Sequence, residues 1–394
     1  MPTPDVPVFG VGMVGYAFMG AAHSQAWRTA GRVFDLPLAV RMAVLCGRNG
    51  DAAAAAAAKL GWESVETDWK ALLTREDVQL VDICTPGSSH AEIATAALEA
   101  GKHVLCEKPL ANTVAEARAM VDAARSARSR GIRSMVGFNY RRVPAVTFAR
   151  QLIAQGRIGT VRHVRAQYLQ DWIVDPEFPL VWRLVADQAG SGALGDIGAH
   201  IVDLTQFVTD QRLVGVNAML ETFVRERPLP AASAGLSASG GTGRGAVTVD
   251  DAALFFGRLS GGAVASYEAT RFATGRKNAI LVEVNGSAGS LAFDLERLNE
   301  LLYLDGTEDA EVQGYRRIVV TEPTHPYLSA WYPPGHTIGW DATFTHEVRD
   351  LVDAVATGTD PSPSFEDGLQ VQLVLDAVQR SAADRGCWTP VEAA

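Results

Sequence analysis

Phe9-Gly10-Val11-Gly12-Met13-Val14-Gly15 is the stretch on which the reading of this chain turns. It matches G-x-G-x-x-G, follows the apolar run Val6–Phe9 and precedes a helical pattern over Met13–Ala30. In that setting each glycine has a task. The first permits a tight turn, the second lets backbone approach a pyrophosphate, and the third lets helix and strand pack closely. The helix N-terminus adds free N–H groups and positive potential. Gly10, Gly12, Met13, Val14 and Gly15 are therefore expected to cradle a dinucleotide.

Outward from this stretch, strands and helices alternate. Strands are expected at Arg41–Cys46, Leu80–Cys84, His103–Cys106 and Ser134–Phe138, separated by helices such as Asp51–Leu60, His90–Ala100 and Val114–Ser129. Such alternation means βαβ units and a parallel sheet. After Tyr140 the pattern changes to runs joined by short turns, including Ala252–Leu259, Ala263–Thr270, Ala279–Val284 and Gly289–Asp294. The expected architecture is α/β. A doubly wound parallel sheet over 1–139 binds dinucleotide, and an α+β domain over 140–394 with a largely antiparallel open sheet binds substrate. Ala231–Gly245, rich in Gly, Ser and Ala, reads as a flexible surface loop.

Composition narrows the function. Of 394 residues, 47% are hydrophobic and the net charge is −10, without a basic cluster. This excludes a mainly disordered chain and argues against nucleic-acid or anionic-membrane partners. No apolar run suits a membrane span, and the opening residues lack the regions of a signal peptide. Cys46, Cys84, Cys106 and Cys387 form no C-x-x-C, and no nearby His completes a zinc spacing, so no metal is expected. Buried thiols suit a cytoplasmic protein.

An NAD site usually places a carboxylate at the end of the second strand. Asp35 lies before that strand; Gly47-Arg48 stand at its end. Without a carboxylate to repel a phosphate, and with Arg48 able to bind one or to stack on adenine, the reading for NAD(P) leans to NADP. Lys108, in Glu107-Lys108-Pro109 after the fourth strand, is placed at the cofactor crevice. There it can favour an ionised substrate hydroxyl. Asp196 and His200 are four apart and share a helix face, with His200 the natural proton acceptor near neutral pH.

Together, Gly10–Gly15, Thr85-Pro86 with His90, Glu107-Lys108-Pro109 and Gly192–His200 resemble the Gfo/Idh/MocA oxidoreductases over essentially the whole chain. The resemblance implies a Rossmann domain, a C-terminal α/β domain whose open sheet makes a homodimer or homotetramer, and hydride exchange between NAD(P) and a sugar or polyol. It implies Lys108, Asp196 and His200 as catalytic residues, and Thr85, Pro86, His90, Glu107 and Lys108 as cofactor contacts. Gly87 departs from the Asn often found there. Phe138–Arg142, Tyr168–Trp172 and Trp182-Arg183 are similar to inositol and levoglucosan-type dehydrogenases, so Arg141, Gln170, Asp171, Trp172 and His336 are substrate candidates. Two other functions stay open: glycoside cleavage by transient oxidation, and a non-catalytic dinucleotide-binding regulator. Phe255, Leu259, Val264, Tyr267 and Ile280 give a surplus apolar face that suits oligomerisation.

Overall fold

The structure is a computed structural model that describes residues 6–234 and 237–393. The chain divides into two compact units. One holds the residues up to Asn139 together with Trp340–Leu369, and the other holds Tyr140–Ser233, Ser237–Gly339 and the residues from Gln370 onward. A single cut at 139/140 therefore omits the later segment, which belongs with the first unit.

The first unit runs β1 (Val8–Val14), α1 (Phe18–Val33), β2 (Ala39–Cys46), α2 (Gly50–Leu60), β3 (Ser64–Glu66), α3 (Trp69–Leu73), β4 (Leu80–Ile83), α4 (His90–Glu99), β5 (His103–Glu107), α5 (Val114–Arg128) and β6 (Ser134–Gly137). The strand order is β3-β2-β1-β4-β5-β6, all parallel. Strands buried on both faces must be apolar throughout, which is why they read as continuous runs. Helix starts are set by local chemistry: Asn49 caps α2, and Thr113 with Glu116 forms a capping box on α5. The order reverses between β1 and β4, and in such sheets ligands bind beyond the carboxyl ends at that point.

The second unit contains α6 (Pro144–Ala154), β7 (Val161–Leu169), a short α7 (Ala186–Ala189), α8 (Ala199–Thr209), β8 (Leu213–Glu221), β9 (Glu226–Ala234), β10 (Ser237–Ala246), β11 (Ala252–Leu259), β12 (Val264–Thr270), β13 (Ala279–Gly286), β14 (Gly289–Asp294), β15 (Glu300–Asp305) and β16 (Arg316–Val319). A nine-stranded sheet orders β16-β15-β14-β13-β7-β12-β11-β8, closed by a short strand at Thr389–Pro390. Only the β7–β12 pair is parallel. Ala231–Gly245 is not the expected loop: its described part forms the pair β9 and β10, and 235–236 lie outside the described residues. Two later helices are α9 (Ala342–Thr357) and α10 (Phe365–Ala383). Within the first unit, Phe344, Val348, Leu351 and Val352 of α9 share a core with Ala26, Trp27 and Ala30 of α1.

The surplus apolar face differs from the expected one. Phe255, Leu259, Tyr267 and Ile280 are buried within the unit, Phe255 stacking on Tyr267 at 4.5 Å. Met219, Leu254, Phe256 and Val264 are exposed, and the first three line a broad groove of about 950 Å³ on the sheet's open face.

Candidate active site

The glycine turn sits five residues later than the motif suggests. Gly10, Gly12, Met13 and Val14 lie inside β1, paired with β2 and, from Val11 on, with β4, and the Met13 side chain is fully buried. A Cβ on Gly10 would lie 1.9 Å from the Asp77 carbonyl oxygen, so its glycine serves strand packing. The turn is Gly15-Tyr16-Ala17-Phe18-Met19-Gly20. Gly15 has φ +97, the left-handed region glycine favours, and its amide donates to Cys46 O at 3.0 Å. A Cβ on Gly20 would lie 2.3 Å from Gly15 O. Ala17, at the N-cap of α1, provides no side-chain cap, and the first turn holds no acid, leaving the helix's first amide groups available to an anion. Of the glycine-motif residues expected at the cofactor, only Val14, the last residue of β1, and Gly15, just after it, stand at the strand end.

Gly47 and Arg48 follow β2 as expected. Arg48 is exposed, and Gly47 is covered by the Tyr16 ring. After β4, Ser89 Oγ donates to Thr85 Oγ1 at 2.7 Å, and Pro86 starts a short 3-10 turn. The space beside Gly87 is filled by the Asn112 amide, 2.5 Å from where a Cβ would stand, which accounts for a glycine there. His90 does not present its ring to a ligand: it is buried, with Nδ1 3.0 Å from Pro109 O and Nε2 2.9 Å from Thr85 O. Burial pulls its pKa down. It ties the turn after β4 to the turn after β5. Glu107 likewise turns inward, Oε1 meeting His23 Nε2 at 3.0 Å. Lys108 follows, partly exposed, at the carboxyl end of β5.

In the second unit, Asp196 lies in a π turn, Leu194–Gly198, that runs straight into α8. The Ala199 amide bonds back to Leu194 O; such widened turns recur at functional sites. The approach is held from below. Asp250 accepts the amides of Gly192 and Leu194, each at 2.7 Å. Burial raises the Asp250 pKa against these bonds. Gly192 is obligatory, since a Cβ would lie 1.7 Å from Asp250 O. Arg271, fully buried, has Nη1 3.8 Å from Asp196 Oδ2, and its guanidinium lies 5.6 Å from the Trp172 ring centre. His200, buried at 6% exposure, meets the Tyr140 ring edge-on at 4.8 Å and the Tyr168 ring at 5.8 Å.

A polar chain extends from these rings. The Tyr140 and Tyr168 hydroxyls are 3.0 Å apart. Tyr168 Oη donates to Asn278 Oδ1 at 2.7 Å, Gln170 Nε2 donates to the same oxygen at 2.8 Å, and Trp172 Nε1 donates to Gln170 Oε1 at 3.0 Å. Burial, with Tyr140 nearby, holds the Tyr168 hydroxyl well above its ordinary pKa, so it stays a neutral donor. Of the substrate candidates, Gln170 and Trp172 join this group. The other three do not. Arg141 Nε donates to Asp203 Oδ2 at 2.8 Å in a buried bidentate pair. The Asp171 carboxylate takes the Gly275 amide at 2.9 Å and Lys277 Nζ at 2.8 Å. His336 is exposed, its Nδ1 2.9 Å from Pro333 O in its own loop.

Residues 9–138 match the oxidoreductase family with NAD-binding Rossmann fold, and residues 146–292 match the GFO/IDH/MocA C-terminal domain. The chain belongs to the Gfo/Idh/MocA oxidoreductases. Levoglucosan dehydrogenase of Pseudarthrobacter phenanthrenivorans is 43% identical over 386 residues, covering 97% of each chain. A crystal structure of an oxidoreductase domain protein from Kribbella flavida superposes with TM-score 0.94 at 64% identity, covering 98% of this chain and 100% of that one. A structure of levoglucosan dehydrogenase in complex with NADH and levoglucosan gives TM-score 0.91 at 42% identity, covering 98% and 99%.

For a Gfo/Idh/MocA Rossmann unit, the residues present fit a dinucleotide: Gly15 in its turn, Gly20 close beneath it and the uncapped start of α1 make an anion cradle. Arg271, Asp250 and Asn278 escaped the sequence reading. Their partners lie 75, 56 and 110 residues away in the chain, and no local motif marks such pairings.

Proposed function

We propose that the chain oxidises a secondary hydroxyl of levoglucosan or a related anhydrosugar to the ketone. The observation that carries this reading is the Asp196–His200 segment, whose histidine packs against the rings of Tyr140 and Tyr168, beside a string of hydroxyl and amide groups suited to a polyol. In this reading His200 accepts the hydroxyl proton, and Asp196 stabilises the imidazolium that results. The Lys108 ammonium stabilises the alkoxide as negative charge develops on oxygen. The dinucleotide, when bound, accepts the carbon-bound hydrogen with its electron pair. Trp172 offers an apolar wall to the C–H face of the sugar.

NAD is the acceptor in this proposal. Support comes from the relatives' complexes with NADH; the case for NADP rests on Arg48 and the missing carboxylate at Gly47. The ratio of kcat/KM for the two cofactors, in the parent and in Arg48→Ala, separates them: a loss confined to NADP assigns Arg48 to a phosphate. Assembly as a homo-oligomer through the open sheet face belongs to the same proposal, supported by the exposed Met219, Leu254, Phe256 and Val264. So does a cytoplasmic location, supported by the four free cysteines, three of them buried. Among the described residues no helix is long and apolar enough to cross a membrane.

The test is the formation of reduced cofactor from levoglucosan and NAD, followed by absorbance. Lys108→Ala and His200→Ala are each expected to lower kcat by about 100-fold or more while NADH still binds, the scale of a positioned acid–base group. Near-parental turnover in either folded variant overturns that residue's role. Product formation without net reduced cofactor points instead to transient oxidation.

A further inference from the structure

Next to Lys108 in the first unit, a buried imidazole stands between two carboxylates. His23, on α1 and 1% exposed, has Nδ1 3.0 Å from each oxygen of Asp82 and Nε2 3.0 Å from Glu107 Oε1. Asp82 is fully buried and Glu107 nearly so. Trp27 Nε1 donates to Asp82 Oδ2 at 2.7 Å, and Cys84 Sγ donates to Asp82 Oδ1 at 3.5 Å. The Phe344 ring, 5.3 Å from the imidazole centre, covers it. Gly137 makes room for the inward turn of Glu107: a Cβ there would lie 2.7 Å from Glu107 Oε1.

A neutral imidazole has one N–H, so it can donate to only one of these carboxylates. The imidazolium donates to both, through charge-assisted bonds. Burial works against the charged ring, but the charge and hydrogen bond of Asp82, with Cys84, hold His23 well above its ordinary pKa. His23, Asp82 and Cys84 also have ligand atoms within 4.8 Å of one another. Those atoms already bond to each other and to Trp27, so hydrogen bonding accounts for the cluster without a metal.

A buried ionic network of this kind adds little net stability over an apolar one of the same volume. What it does supply is fixed geometry. It joins α1, β4 and the last residue of β5, and the residue after that is Lys108. We propose that His23, held between Asp82 and Glu107, is a positioning residue that fixes the end of β5 and thereby the direction in which Lys108 presents its ammonium. The proposal rests on the reading of Lys108 as catalytic.

The test uses full-length His23→Gln, Glu107→Gln and Lys108→Ala, and the double variants that combine each of the first two with Lys108→Ala. Glu107→Gln preserves shape and carries the test if His23→Gln does not fold. Alone, His23→Gln and Glu107→Gln are expected to lower kcat tenfold or more, with the levoglucosan KM and the NADH Kd within threefold of the parent. The rate at which trinitrobenzenesulfonate labels Lys108, read by peptide mass spectrometry, is expected to change at least threefold. In the Lys108→Ala background neither substitution should lower kcat further. Three results overturn the proposal: kcat and Lys108 labelling within threefold of the parent in a folded variant; full additivity with Lys108→Ala; or loss of NADH binding and thermal stability in both single variants, which is a structural role. Failure of the catalytic reading is separate, since Lys108→Ala alone would then retain turnover.

Discussion

The ring of Tyr16 lies over Gly47, so close that a Cβ on residue 47 would stand 2.0 Å from Tyr16 Cε1. The end of β2 is therefore built together with the glycine turn. Gly47→Asp, which would restore an acceptor for ribose hydroxyls, must first displace that ring. The expected result is a tenfold or greater loss of binding for both NAD and NADP, not an exchange of preference. In the Tyr16→Ala background the same substitution should recover affinity for NAD. Fluorescence titration with the reduced cofactors measures both, and a clean switch in Gly47→Asp alone would show that the ring gives way freely.

Arg271 lies beneath Asp196 with no exposure to solvent. A buried opposite charge at this range holds a carboxylate's ionic form and direction more strongly than one in water. Arg271→Met is expected to lower kcat about tenfold or more, with the NADH Kd unchanged. Arg271→Lys should recover only part, because a point charge does not replace the planar donors that also reach the Asp250 and Arg183 carbonyls. Parental kcat in Arg271→Met would remove Arg271 from the machinery.

Phe256 is 63% exposed and Met219 is 59% exposed on the open sheet face. Phe256→Glu is expected to turn a homo-oligomer into a monomer in light scattering at micromolar concentration. Buried apolar area of this sort is what holds symmetric partners together. A monomeric parent protein would contradict the assembly directly.

His103 predicts the acid behaviour of the first unit. Burial, with the Arg133 charge second, lowers its pKa to about 4, and its Nδ1 accepts the Arg133 amide at 3.0 Å, a bond that protonation breaks. An unfolded histidine titrates near 6.5, so between about pH 6.5 and 4 the unfolded chain binds more protons than the folded one. Stability therefore falls as pH drops through that window, by at most about 3 kcal/mol from this group. Denaturant unfolding at pH 7 and pH 4.5 should show a smaller difference in His103→Gln than in the parent.

The alternation of β and α in the first unit was legible because parallel strands must be apolar on both faces. The frame of the glycine turn was not. The exact match at 10, 12 and 15 overlaps the stretch that forms the turn at 15, 17 and 20, where alanine replaces the middle glycine. Only the length of β1, fixed by pairing with β2 and β4, separates them. The position of Lys108 just after β5 was legible from the strand run before it, and that of Asp196 and His200 on one helical segment from their spacing of four; their catalytic roles belong to the proposal. Arg141 and Asp171 have the right chemistry for a sugar site, but Asp203 and Lys277 engage them from 62 and 106 residues away. Period-two patterning in β11 showed apolar residues on both faces, but it cannot say which face the helices cover.

Asn278 gives one amide oxygen to two donors, Tyr168 and Gln170, and Gln170 in turn holds Trp172. An amide oxygen has two lone pairs, and here both are taken. Re-aiming any one of these side chains to suit a different arrangement of hydroxyls therefore strips a partner from the others. Under the proposed function, substrate preference along this wall is inherited as a set. Redesign toward another sugar calls for compensated changes at 168, 170 and 278 together, and single substitutions there should lose the old substrate before they gain a new one.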